Sequence, residues 1–149
     1  MLIMFRGQRK ENAQWVYGGF HRHQKITPPL IGPPLDEEEA YVSLIVQSGF
    51  SDWNLPKPLI AYEVKPETVG QFTGFYATKA YREEIYVGHL VRLTDDHGEK
   101  IGAIVFHEGM FAYTSDGVQA QPLGRAHDFE VLGNVVDHPD WLAKIAAFR

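Results

Sequence analysis

Short apolar runs, broken about every ten residues by turns rich in glycine, proline or aspartate, dominate the pattern along this chain. That rhythm predicts β-strands in a meander. It is clearest from residue 59 onward. Residues 59–64 read as a strand and residues 85–93 as another, and the turn Asp95-Asp96-His97-Gly98 leads into a strand over 101–107. Glu108-Gly109 makes a tight hairpin into 110–113, and Ser115-Asp116-Gly117 turns into 118–123. Residues 129–136 form the last strand, interrupted at Gly133-Asn134. A short helix closes the chain, with Asp137 as its cap, Pro139 in its first turn and Asp140 near the positive end of its dipole. Trp141, Leu142, Ile145 and Phe148 give that helix one apolar face. The fold class expected is mainly β: a small SH3-like or strongly bent barrel over residues 59–149, with the helix plugging one open end.

The first 58 residues are less regular. Residues 15–20 (Trp-Val-Tyr-Gly-Gly-Phe) are aromatic and β-prone, and Gly18 and Gly19 bend or end the run. Residues 21–26 return as a second strand. Pro28-Pro29 and Pro33-Pro34 bracket Gly32, which predicts an exposed polyproline-like connector. Asp36 with Glu37, Glu38 and Glu39 has the form of a helix start. The β-branched residues 41–46 favour a strand instead, and strand is the reading chosen. Residues 48–58 then form a loop anchored by Trp53. The chain is thus expected to be one domain over 1–149: strands in 1–27, a proline-rich excursion over 28–58, and the core from 59.

Composition narrows the chemistry. The 149 residues are 44% hydrophobic, 22% charged and 13% aromatic, which suits a packed core. With no cysteine, disulfides, thiolate catalysis and zinc–thiolate sites are excluded. The apolar start, residues 1–5, meets Arg6 too soon for a signal peptide, and no apolar run approaches the roughly 20 residues that span a bilayer. A cytoplasmic protein without membrane contact is expected. Net charge is −5, yet residues 1–27 hold five basic residues (Arg6, Arg9, Lys10, Arg22, Lys25) against Glu11 alone. Those five could follow a nucleic-acid backbone. The reading preferred is that they dock the N-terminal strand on an acidic body, in this chain or a neighbouring subunit, because the field of the whole protein repels phosphate.

The most distinctive stretch runs from Val64 to Val91. It contains Pro66-Glu67-Thr68-Val69-Gly70-Gln71-Phe72-Thr73-Gly74-Phe75, then a connector over residues 76–84, then Ile85-Tyr86-Val87-Gly88-His89-Leu90-Val91. This resembles the hallmark of the YopX family of phage and prophage proteins, "peTvgqyTGl" followed by "IYeGDiV". Phe5-Arg6, the aromatic-Gly turn at Trp15–Gly18, the Gly133-Asn134 ending and the Pro139-Asp140-Trp141-Leu142 helix start agree with it. Val87 and His89 stand where that family has Glu and Asp. The resemblance implies a mainly β accessory protein that self-associates. From the residues themselves, Gly70 and Gly74 suit tight turns and Gly88 a close strand crossing, while Thr68, Gln71 and Thr73 satisfy backbone groups in a loop. Ile85, Tyr86, Gly133 and Asn134 complete this structural motif.

Reactive constellations are sparse. His21 and His23, two apart, share one strand face, and His89, His107 or Glu108 could add a third metal ligand, but no metal-binding motif occurs. Asp95-Asp96 and Glu83-Glu84 read as solvated pairs, Ser115 lacks a nucleophile elbow, and His127-Asp128 lacks a nucleophile. Phosphate-binding glycine loops are absent. The expectation is a non-enzymatic protein without metal or cofactor, acting as a homo-oligomer or on a phage or host protein partner. A nucleic-acid-binding module is the alternative.

Overall fold

The computed structural model describes residues 2–78 and 82–149. Met1 of the apolar start and residues 79–81 of the 76–84 connector lie outside the described residues. The chain divides into two compact units, Ile3–Val69 and Gly70–Arg149. Both are built from antiparallel strands, so the mainly β class holds.

In the first unit, β1 (Phe5–Gln8), β2 (Trp15–Gln24), β3 (Tyr41–Ser48) and β4 (Leu59–Glu63) pair in sequence order. Residues 59–63 therefore belong to this sheet. The glycines expected to end the first aromatic run do not end it: β2 is continuous over ten residues. A Cβ at Gly18 would stand 2.2 Å from the carbonyl oxygen of Val46, so glycine here marks close passage of β3. The helix start passed over in favour of a strand also exists. Asp36 and Glu39 form a capping box on α1 (Glu37–Ala40), a single turn, and β3 begins directly after it. The sheet curls until Arg9 bridges Val64, with Lys10 N–H donating to Glu63 O at 3.1 Å and Lys65 N–H to Gln8 O at 2.9 Å. Ile45 and Val64 are fully buried on its inner face.

The second unit contains the ladder of β5 (Gly70–Tyr76) and β6 (Glu84–Tyr86). Its main sheet is formed by β7 (His89–Asp95), β8 (Gly98–His107), β9 (Met110–Thr114), β10 (Gln121–Pro122) and β11 (His127–Asn134) in the order β10-β9-β8-β7-β11. This sheet is open, with β10 and β11 at its edges. The expected closed barrel is not there, because no ladder joins those edges. The strand expected over 85–93 is two strands: Gly88, at φ +95°, turns the chain between β6 and β7. The β7–β8 and β8–β9 turns fall where expected, with Gly98 and Gly109 at positive φ.

Alternation along β7, β8 and β9 gives the sheet two apolar faces. Ile85, Val91, Leu93, Ile104, Tyr113 and Phe129 form one core, with Phe75 and Val87 packed against it. Leu90, Ala103, Val105 and Ala112 form the other, closed by Ile145 and by Trp141, Leu142 and Phe148 from α2 (Pro139–Lys144) and the turn after it. The terminal helix thus covers a sheet face and plugs no barrel end. Its N-cap is His138; Asp137 instead exchanges two hydrogen bonds with the Asn134 amide, at 2.9 and 3.0 Å. The interruption expected near Gly133 is a bulge at Leu132, since Val131 faces Val91 while Gly133 faces Leu90.

Candidate functional site

A cluster of polar side chains lies at one end of the five-stranded sheet, in a cavity of about 240 Å³ beside the β7–β8 turn and the loop after β9. Asp95, Lys100, Tyr113, Ser115, Asp116 and Arg125 are among its lining residues. Asp95, expected to face water beside Asp96, is buried. It turns inward because three donors await it: Tyr113 O–H at 2.6 Å, Lys100 Nζ at 2.8 Å and the His97 main-chain N–H at 2.8 Å. Lys100 and Tyr113 hold its carboxyl well below the usual carboxylate range. Burial, then the hydrogen bond to Asp95, pushes Tyr113 up to about 12. Near neutral pH both groups are therefore locked in their ordinary protonation states. Neither is poised for proton transfer, which needs a value near the working pH.

The neighbouring loop is held the same way. Asp116 accepts the main-chain N–H groups of Gln119 and Val118, which lower its carboxyl, and the Gly117 N–H donates to Thr114 Oγ1. Ser115 Oγ is buried without a hydrogen-bond partner among the described residues. His127 and Asp128 approach to 3.7 Å but are both exposed. Glu84, read as solvated, accepts a hydrogen bond from Tyr86 O–H at 2.9 Å. The cavity is a strut tying turn to sheet.

The motif residues of the 64–91 stretch are structural, though not as the loop expected. Thr68 Oγ1 accepts the Gln8 N–H at 2.8 Å and donates to Lys65 O at 2.6 Å. Gly70 is no tight turn but a strand residue: its missing Cβ leaves room for the Val87 carbonyl, 2.1 Å from where the Cβ would be. Gln71 accepts the Val87 N–H through its main-chain carbonyl. Thr73 Oγ1 donates to Ile85 O at 2.7 Å and accepts the Phe75 N–H, and Gly74 sits at φ +84° within β5. Gly88 is clipped to β8 by its N–H to Ile104 O and accepts the Val135 N–H. His89 Nδ1 accepts the Tyr86 N–H at 3.1 Å, spanning this turn.

The five basic residues of segment 1–27 are drawn onto rings, acids and a main-chain carbonyl of the first unit. Arg6 is buried with its guanidinium 4.1 Å from the centre of the Trp15 ring. Arg9 lies over Tyr62 and pairs with Glu11 at 2.6 Å, and Lys10 pairs with Glu63 at 3.1 Å. Arg22 stacks on Tyr41 at 3.7 Å beside Glu37, and Lys25 donates to the Glu38 carbonyl at 3.0 Å. Arginine over an aromatic face gains both stacking and cation–π attraction. Of the metal candidates, His21 and His23 do share a face of β2. His89 is buried and His107 sits against Phe148, 3.7 Å from Glu108. No cluster of three histidine or carboxylate ligands occurs among the described residues.

The most conspicuous apolar surface lies in the proline-rich excursion over 28–58, whose first part is exposed as expected. Trp53, expected to anchor its loop, is 95% exposed. Phe50 and Leu55 beside it project as well, and Ile26, Leu30 and Ile31 do so in the proline-rich loop, Leu30 being fully solvated. Residues 27–35 make no backbone hydrogen bond to the rest of the described chain. The signal was available in Pro28-Pro29-Leu30-Ile31-Gly32-Pro33-Pro34-Leu35, where proline removes donors and large apolar side chains stand among them. Comparison with protein-family models, with curated proteins and with solved structures returned no match.

Proposed function

We propose that this chain is a cytoplasmic phage or prophage accessory protein that acts by protein binding, first of all to a second copy of itself, through the two apolar loops of its first unit. The observation that carries this reading is the exposure of Leu30, Ile31, Phe50 and Trp53, each between 88% and 103% solvent-accessible. Large apolar side chains standing in water mark interaction sites, and here they occupy two loops at opposite ends of β3. Covering one such side chain gains roughly 1.5–3 kcal/mol, so four gain roughly 6–12 kcal/mol, which is on the scale of the free energy lost on association. The YopX resemblance agrees with self-association.

Light scattering across a concentration series tests the proposal. A mass at least twice 16.9 kDa is expected, whereas 16.9 kDa at every concentration rules out the homo-oligomer. The alternative nucleic-acid module would draw on Arg6, Arg9, Lys10, Arg22 and Lys25, whose engagement with Trp15, Glu11, Glu63, Glu37 and the Glu38 carbonyl favours the protein-binding reading. A gel shift at low ionic strength separates the two, since phosphate contacts strengthen steeply as salt falls.

A further inference from the structure

Alternation along β2 sends His21 and His23 to the same face of the sheet, opposite Leu44 and Val42 of β3. Their ring centroids are 5.8 Å apart and their planes tilted by 42°. Both side chains are exposed, and neither makes a hydrogen bond or ion pair among the described residues. The lone pairs of both rings are therefore available.

The spacing is close to what one metal ion requires. With a metal–nitrogen bond of about 2.1 Å and about 1.1 Å from nitrogen to ring centre, two imidazoles have centroids about 5.2 Å apart on a tetrahedral ion such as Zn²⁺ and about 4.5 Å apart at the right angle of Ni²⁺ or Cu²⁺. Rotation of two exposed side chains supplies the difference. The flanking Leu44 and Val42 offer no group that competes for the imidazoles. Arg22, between the histidines in sequence, points to the other face, where Tyr41 and Glu37 hold its guanidinium.

We infer that His21 and His23 chelate one divalent transition-metal ion of the imidazole-preferring class, Ni²⁺, Cu²⁺ or Zn²⁺, with water in the remaining positions. Hard ions such as Mg²⁺ or Ca²⁺ need several oxygen ligands, whereas the carboxylate that the register puts on this face, Glu63 opposite Leu44, is paired with Lys10. Once the first imidazole is bound, the second adds as an intramolecular ligand, and this gives the pair its advantage over the other exposed histidines. The inference stands on different residues from the apolar loops and holds whether or not the protein self-associates.

The full chain is to be titrated with Ni²⁺ by calorimetry, and its Cu²⁺ complex read by electron paramagnetic resonance. One ion per chain and a two-nitrogen hyperfine pattern are expected. His21→Ala and His23→Ala should each weaken Ni²⁺ binding at least about tenfold, and the double variant should be little weaker than either, because chelation is a joint property. Both positions are exposed, so an unchanged melting temperature verifies that the variants fold. Absence of Ni²⁺ uptake by the native chain overturns the inference. So do single variants that keep native affinity, which would place the ion on His97, His107, His127 or His138.

Discussion

The two units treat their apolar residues in opposite ways. The second covers both faces of its five-stranded sheet, one with Phe75, Ile85 and Val87, the other with Trp141, Leu142, Ile145 and Phe148. The first encloses Ile45 and Val64 inside a curled sheet while Leu30, Ile31, Phe50 and Trp53 stand in water. Apolar side chains therefore stabilise the second unit and are presented by the first. Substitutions of similar chemistry should then have different consequences in the two.

The largest contrast is in the core. Ile104→Ala removes a fully buried side chain and is expected to cost about 2–5 kcal/mol in urea unfolding. Trp53→Ala should stay within about 0.5 kcal/mol. Equal losses at both positions would erase the distinction between the units. Next come the glycines. Gly117→Ala combines φ +76° with a Cβ 2.2 Å from the Lys144 carbonyl, and Gly70→Ala meets the Val87 carbonyl; each should cost about 1–3 kcal/mol. Gly124→Ala, with open space around it, is the neutral control in the same thermal melts.

The strut around Asp95 makes stability depend on pH at both extremes. Tyr113 is raised from 10.0 to about 12, so its contribution is complete below pH 10 and drains as pH rises toward 12. Asp95 is lowered from 3.8, so its contribution is complete above that value and drains as pH falls below it. Tyr113→Phe should flatten the alkaline limb of a melting-temperature profile and remove one late-ionising tyrosine from an ultraviolet titration. The smallest effect is at the β8–β9 hairpin, where Glu108 sits at φ +50° before Gly109. Glu108→Asn, suited to that turn, should raise stability by about 0.5 kcal/mol in the same urea assay.

The meander over β7, β8 and β9 was legible because its turns carry local chemistry: Gly98, Gly109 and the Asp116 side chain act within a few residues of themselves. What was not legible depends on partners distant in sequence. Gly18 looked like the end of a strand because Val46, whose carbonyl requires the glycine, is 28 residues away. Gly70 looked like a turn for the same reason, its partner being Val87. Asp95 looked solvated because Tyr113, which draws it inward, lies across the sheet. Whether β10 and β11 would meet could not be read from either strand. Trp53 reads as the anchor of its loop, although nothing in the sequence supplies it with a cover. The candidate site was accordingly the least legible part, since exposure is set by the absence of packing neighbours and no local pattern encodes it.

The most direct measurement is the solution mass of a Leu30→Ser, Ile31→Ser, Trp53→Ser triple variant beside the native chain at equal concentration. The account expects the native chain as an oligomer and the variant as a 16.9 kDa monomer with an unchanged melting midpoint. Equal masses for the two would contradict it.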